Sequence, residues 1–171
     1  MTSRRQAGFS IIELLIVVAI ILVIAAIAIP NLMRSKIAAN EASAIRSIRE
    51  ISTAEVSYHA AYPSVGYATD LISLGGPMAG CTPSAATACI LDSQLSAGTK
   101  SGYLLFAAGF AAGGVPQNTE FLASAAPQSF DRSGVRDFCI STDGVVRIDP
   151  GLGGVPIAKT VPVCLAYPIA Q

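Results

Sequence analysis

Phe9-Ser10-Ile11-Ile12-Glu13-Leu14 opens a stretch that stays apolar as far as Ile29 and ends at Pro30. Within residues 9–29 the polar side chains are Ser10 and Glu13, and residues 14–29 are apolar throughout. At about 1.5 Å per residue, this stretch makes roughly 31 Å of helix, close to the roughly 30 Å hydrocarbon thickness of a bilayer. It is therefore predicted to span a membrane. A carboxylate costs about 2.5–3.5 kcal/mol at the centre of such a span and less near an end, so Glu13 asks for a partner or a purpose. An ordinary secretory signal ending at Ala26-Ile27-Ala28, or a plain single-span anchor, accounts for the length. Neither accounts for Gly8 and Glu13 together.

Arg4 and Arg5 form a short basic head, followed by Gly8-Phe9-Ser10-Ile11-Ile12-Glu13-Leu14. In this order the residues closely resemble the class III leader of type IV pilins and pseudopilins, over residues 8–30 and more weakly along the helix beyond. The resemblance implies that a prepilin peptidase cuts after Gly8 and N-methylates Phe9. It also implies that Glu13 pairs in a filament with the N-terminal ammonium of another copy of the chain. Residues 9–29 would first be held in the bacterial inner membrane and then form the core of a cell-surface fibre. The implied partners are copies of the chain itself, the prepilin peptidase and the assembly machinery of the inner membrane. Pro30 removes one helical hydrogen bond and crowds the preceding turn, so a kink is expected there, as in pilins.

Composition fits an exported subunit. The chain has 171 residues, 52% of them hydrophobic and 13% charged, which suits an anchor plus one small domain. Its formal charge is zero, and loss of Arg4 and Arg5 with residues 1–8 leaves a mature chain at about −2. No basic patch is built, so direct nucleic-acid binding is not expected.

Residues 31–61 lack Gly and Pro, and Tyr62-Pro63 ends the run. A helix over residues 9–61 is predicted. Projected at 100° per residue, Ile37, Ala44, Ile45, Ile48, Ile51 and Tyr58 share an arc of about 140°, with Ser43, Arg46, Ser47, Glu50 and Ser57 opposite. Glu41 and Glu55 intrude on the apolar arc. Residues 62–102 read as a connecting region, in which 70–74 and 91–95 could each form a turn or two of helix. Residues 103–171 read as the head. Strands are predicted at 103–110 and 119–126, with Leu104, Phe106 and Phe110 on one face, and at 137–141 and 145–148 around the hairpin signal Asp143-Gly144. Residues 150–162 read as a loop. The expected fold is α+β, a long N-terminal helix laid against a small antiparallel sheet.

Cys81, Cys89, Cys139 and Cys164 allow three pairings, and spacing alone does not choose among them. An even count behind an export leader points to an oxidising compartment. The resemblance favours sequential pairing, because many pilins close a C-terminal loop as Cys139 with Cys164 would; Cys81 with Cys89 would then staple the connecting region. No metal site or cofactor is expected, since there is no CxxC spacing and His59 is the single histidine. Asp143 and Asp149 could help ligate calcium, but a turn role for Asp143 fits better, because calcium loops carry several closely spaced oxygen ligands. His59 reads as a surface or interface residue, no nucleophile sits in a catalytic motif, and Gly151-Leu152-Gly153-Gly154 does not fit a phosphate loop. The sequence thus points to a non-enzymatic filament subunit. A pseudopilin of a secretion or DNA-uptake system, periplasmic in that case, is the nearest alternative, and a membrane-anchored binding module a more distant one.

Overall fold

The computed structural model describes residues 9–77, 80–149 and 160–170. The chain divides into two compact units, Met1–Lys36 and Ile37–Gln171. Helix α1 is Ile11–Ala61, and Pro30 lies inside it with helix on both sides. The helix begins two residues later than expected because Ser10 occupies the position that caps it. Glu13 reaches back so that Ser10 N–H donates to its Oε2 at 3.0 Å, and Leu14 N–H donates to the Ser10 carbonyl at 3.3 Å. Ser10-x-x-Glu13 is the spacing of a capping box, in which the first turn's spare donors find side-chain acceptors.

The second unit is built on the rest of α1. Ala44, Ile48, Ile51, Ala54 and Tyr58 are buried along one face, and Ile45 is half-buried against the same core. Ser47 departs from its expected place on the solvent side. It is buried, and its hydroxyl donates to the Ser43 carbonyl at 3.0 Å, which satisfies it within the helix. Two short helices follow, α2 (Leu71–Leu74) and α3 (Ser93–Ser96). Asp70 caps α2 by accepting Ser73 N–H, and Asp92 caps α3 by accepting Gln94 and Leu95 N–H groups.

Five strands make one antiparallel sheet in sequence order: β1 (Thr99–Lys100), β2 (Tyr103–Phe110), β3 (Glu120–Pro127), β4 (Asp137–Ser141) and β5 (Arg147–Asp149). The turn from β1 to β2 is Ser101-Gly102, with φ of 50° and 74°, the positive pair that suits strand twist in a two-residue hairpin. Tyr103, Leu105 and Ala107 of β2, Ala123 and Ala125 of β3, and Phe138 and Ile140 of β4 share the buried core with α1. The opposite sheet face carries Leu122 and Cys139, with Phe106 and Phe110 packed beside them.

Asp143-Gly144 does mark a turn, but a wider one than a two-residue hairpin. Gly144 N–H donates to the Ser141 carbonyl at 2.9 Å, and β5 starts only at Arg147. The expected loop over residues 150–162 lies mostly outside the described residues, and its described end needs correction. Val161–Leu165 forms a helix, α4, with Pro162 in its first turn, where a missing N–H costs no helical bond. Val161 and Cys164 pack onto Leu122 and Cys139, so α4 covers the second face of the sheet.

Candidate processing and assembly site

The residues singled out for processing and assembly belong to the first unit. Gly8 lies outside the described residues. Phe9 is 87% exposed, and Glu13 sits in the first turn of α1, where a carboxylate complements the spare N–H groups and the positive end of the helix dipole. The signal for this capping role, a serine three residues before a glutamate, stood in the sequence and was missed. Behind Glu13, Leu14, Leu15, Ile16, Ile20, Ile24, Ile27 and Ile29 are all exposed. Among the described residues α1 is the helix long and apolar enough to cross a membrane, and none of its most apolar window is buried within the chain. So large a continuous apolar surface requires another apolar medium, either lipid or other helices. The arrangement provides a carboxylate at the mouth of an apolar rod, close in sequence to the residue expected to carry a free amine.

The remaining candidates lie in the second unit. Cys81 is bonded to Cys89 and Cys139 to Cys164, with Cα atoms 6.1 and 5.9 Å apart. The first bond closes a small loop between α2 and α3, and the second ties α4 to β4. Asp143 is committed to its turn: Oδ1 accepts from Ser141 Oγ and Val145 N–H, and Oδ2 pairs with Arg147 Nη2 at 2.6 Å. The bond from Arg147 holds its carboxyl below the usual range. No group of three potential metal ligands occurs among the described residues. His59 is exposed, with its ring 4.7 Å from that of Tyr67. The Gly151–Gly154 run lies outside the described residues.

Glu41 and Glu55 interrupt the apolar arc predicted for α1. Both are buried and both fasten the head to the helix. Glu41 Oε1 accepts the N–H groups of Val135 and Arg136 at 3.1 and 3.2 Å, while Oε2 takes the Arg136 guanidinium through Nε at 2.9 Å and through Nη2. Glu55 Oε2 accepts Ala68 N–H at 2.8 Å. Single-residue periodicity could not find these roles, because the partners lie 94, 95 and 13 residues away.

A helix with a carboxylate in its first turn, an unburied apolar span long enough to cross a membrane and a small disulfide-tied antiparallel sheet define an α+β protein with an apolar helix surface left to be covered. Residues 3–29 match the family described as the prokaryotic N-terminal methylation motif. The chain is also similar to the type IV major pilin protein PilA of Myxococcus xanthus strain DK1622, with 43% identity over 54 residues. That alignment covers 32% of this chain and 24% of the relative, so the chain spans about a quarter of the length of the curated protein it matches. No solved structure matches. Both matches cover less than half of the chain, and the motif match falls on its N-terminal residues.

Proposed function

We propose that this chain is a structural subunit of a type IV pilus or pilus-like filament, cleaved after Gly8, N-methylated at Phe9 and polymerised through α1. The observation that carries the reading is the unburied apolar span with Glu13 at its mouth. In the inner membrane, lipid covers residues 14–29; in the fibre, the same residues pack among the helices of other copies. Glu13 of an incoming copy is attracted to the Phe9 ammonium at the growing end. Opposite charges near 4 Å attract by about 4 kcal/mol at an effective dielectric near 20, and desolvation offsets much of it, leaving enough to set register. In the free subunit Glu13 holds Ser10 N–H, so its carboxylate is kept beside the chain end before a partner arrives. A bend at Pro30 would let the span and the head take separate directions. The head carries no catalytic role in this reading, and the prepilin peptidase and inner-membrane assembly machinery are its processing and assembly partners.

Replacing Glu13 with alanine separates a polymerising subunit from an anchored monomer. Membrane insertion should hold or improve, because a costly carboxylate leaves the span, while sheared filaments should become scarce. Membrane fractionation and electron microscopy on the same Glu13→Ala strain read both quantities, and mass spectrometry of the wild-type protein should find an N-methylated Phe9. Abundant normal filaments from Glu13→Ala would remove the charge-pairing mechanism. A mature chain that never forms a fibre, surface or periplasmic, while the head binds a separate target would favour the anchored module instead. Short periplasmic fibres without surface filaments would favour the pseudopilin.

A further inference from the structure

Glu55 is fully buried on α1, yet among the described residues no lysine or arginine is paired with it. Its Oε2 accepts Ala68 N–H, and its Oε1 has no hydrogen-bond partner. Among the described residues, none of the titratable groups around it is a cation bonded to its carboxyl. Asp70, two residues past Ala68, acts on it with like charge. Tyr58, three residues along α1, commits its hydroxyl to the Ala85 carbonyl at 2.6 Å, and the Tyr62 ring packs on Tyr58 at 4.9 Å. His59, on the same helix, is turned to Tyr67 and remains exposed. Burial in the first place, opposed by the Ala68 N–H and reinforced by Asp70, pushes the Glu55 carboxyl up to about 8.

Residues 65–70 form a strap with a second point of attachment. Tyr67 N–H donates to the Asn118 carbonyl, Asn118 N–H to the Val65 carbonyl, and Asn118 Nδ2 to the Tyr67 carbonyl, each at 2.9 Å. Gly66, at φ +88°, lies so close to the Asn118 backbone that a Cβ there would collide with it. The strap is thus fixed to the β2–β3 connection by three backbone-directed bonds, at its start to the Tyr62 carbonyl just past α1, and to α1 itself by Glu55 at Ala68 and by the ring contact of His59 with Tyr67.

We propose that Glu55 is a proton-operated latch: as a neutral carboxyl it holds the strap of residues 65–70 on α1, and on losing its proton to solvent it releases that edge while Asn118 keeps the other. The neutral form places its proton on Oε1 and leaves Oε2 as acceptor for Ala68 N–H. Among the described residues the charged form has no cation bonded to it, so it draws water in at the contact between Ala68 and α1. Release is therefore local, on one side of the strap.

The test uses the full chain in detergent micelles with carboxyl-labelled glutamate. The Glu55 carboxyl signal, assigned by its loss in Glu55→Gln, is followed by NMR from about pH 5 to about pH 10 together with amide exchange corrected for intrinsic rates. The Glu55 signal should titrate well above the ordinary carboxylate range. Protection of Ala68 N–H should fall by about tenfold or more over the same interval, since one unit of pKa corresponds to a tenfold change. Tyr67 N–H, held by Asn118, should lose much less, and Glu55→Gln should show a flat Ala68 profile. Titration of Glu55 in the ordinary range, or an equal loss at Ala68 and Tyr67, would overturn the latch. If Glu55→Gln does not fold, coincidence of the wild-type carboxyl titration with the Ala68 profile decides alone, and a mismatch between them counts against it.

Discussion

Glu41 shows how much one side chain can organise when its partners are backbone amides. It accepts two N–H groups of the segment leading into β4 and pairs with Arg136, whose side chain is half exposed whereas that of Glu41 is 6% exposed. The two contacts differ in worth. An ion pair with an exposed arm is screened and contributes about 0–1 kcal/mol, whereas a buried carboxylate holding two amides is costly to remove, at about 1–3 kcal/mol. Glu41→Ala should therefore destabilise the head by about 1–3 kcal/mol, and Arg136→Ala by clearly less, as read from thermal or denaturant unfolding. Equal losses in the two variants would place the energy in the ion pair instead. The position of Glu41 was legible in the sequence as an anomaly in the apolar arc. Its meaning was not, because a helical projection contains no information about a loop 94 residues away.

At the scale of elements, β2 and β3 show where sequence patterning succeeds and where it stops. The strand expected at 103–110 matches β2, and Leu104, Phe106 and Phe110 do alternate onto one face. The fully buried face is the other one, with Tyr103, Leu105 and Ala107, because α1 lies on that side. Both faces of β2 are apolar, so period two could assign partners within a face but not which face would be deeper. The second face is completed by α4, which a Pro-containing stretch concealed and which Cys164 brings back onto β4. A bond across 25 residues of chain is worth roughly 3–4 kcal/mol in the loop-entropy account. Cys139→Ser should cost about that amount and expose Leu122 and Phe106, raising binding of an apolar dye to the head while far-UV circular dichroism keeps the α1 signal. Loss of helix and sheet together would mean that α4 holds more than its own face.

For the whole molecule, the buried carboxyls give the second unit a stability that depends on pH. Asp137 stands opposite Asp149 in the β4–β5 register; burial, and then the neighbouring Asp149 charge, push it up to about 6. A carboxyl whose folded value is raised favours the fold fully below its unfolded value, and that advantage is lost as pH rises through the folded one. The Asp137 window is therefore about pH 4 to about pH 6, and that of Glu55 extends from about pH 4.5 to about pH 8. Wild-type melting temperature should decline across pH 4–8, and Asp137→Asn should remove the early part of the decline, gaining about 1–3 kcal/mol at pH 7. An unchanged profile would show that Asp137 is ionised in the fold at ordinary pH. The architecture itself, one apolar span, one amphipathic helix and an antiparallel sheet, was readable because each of its periods is local. The latches, caps and register pairs were not, because they depend on which segments meet. Two of those meetings bear on how the second unit carries load. Glu41 and Glu55 are 14 positions apart on α1, about 21 Å along its axis, and each holds a different segment of the head. A pull on the helix is thus shared between two separate stretches of the head, one just before β4 and one just before α2, rather than falling on a single contact.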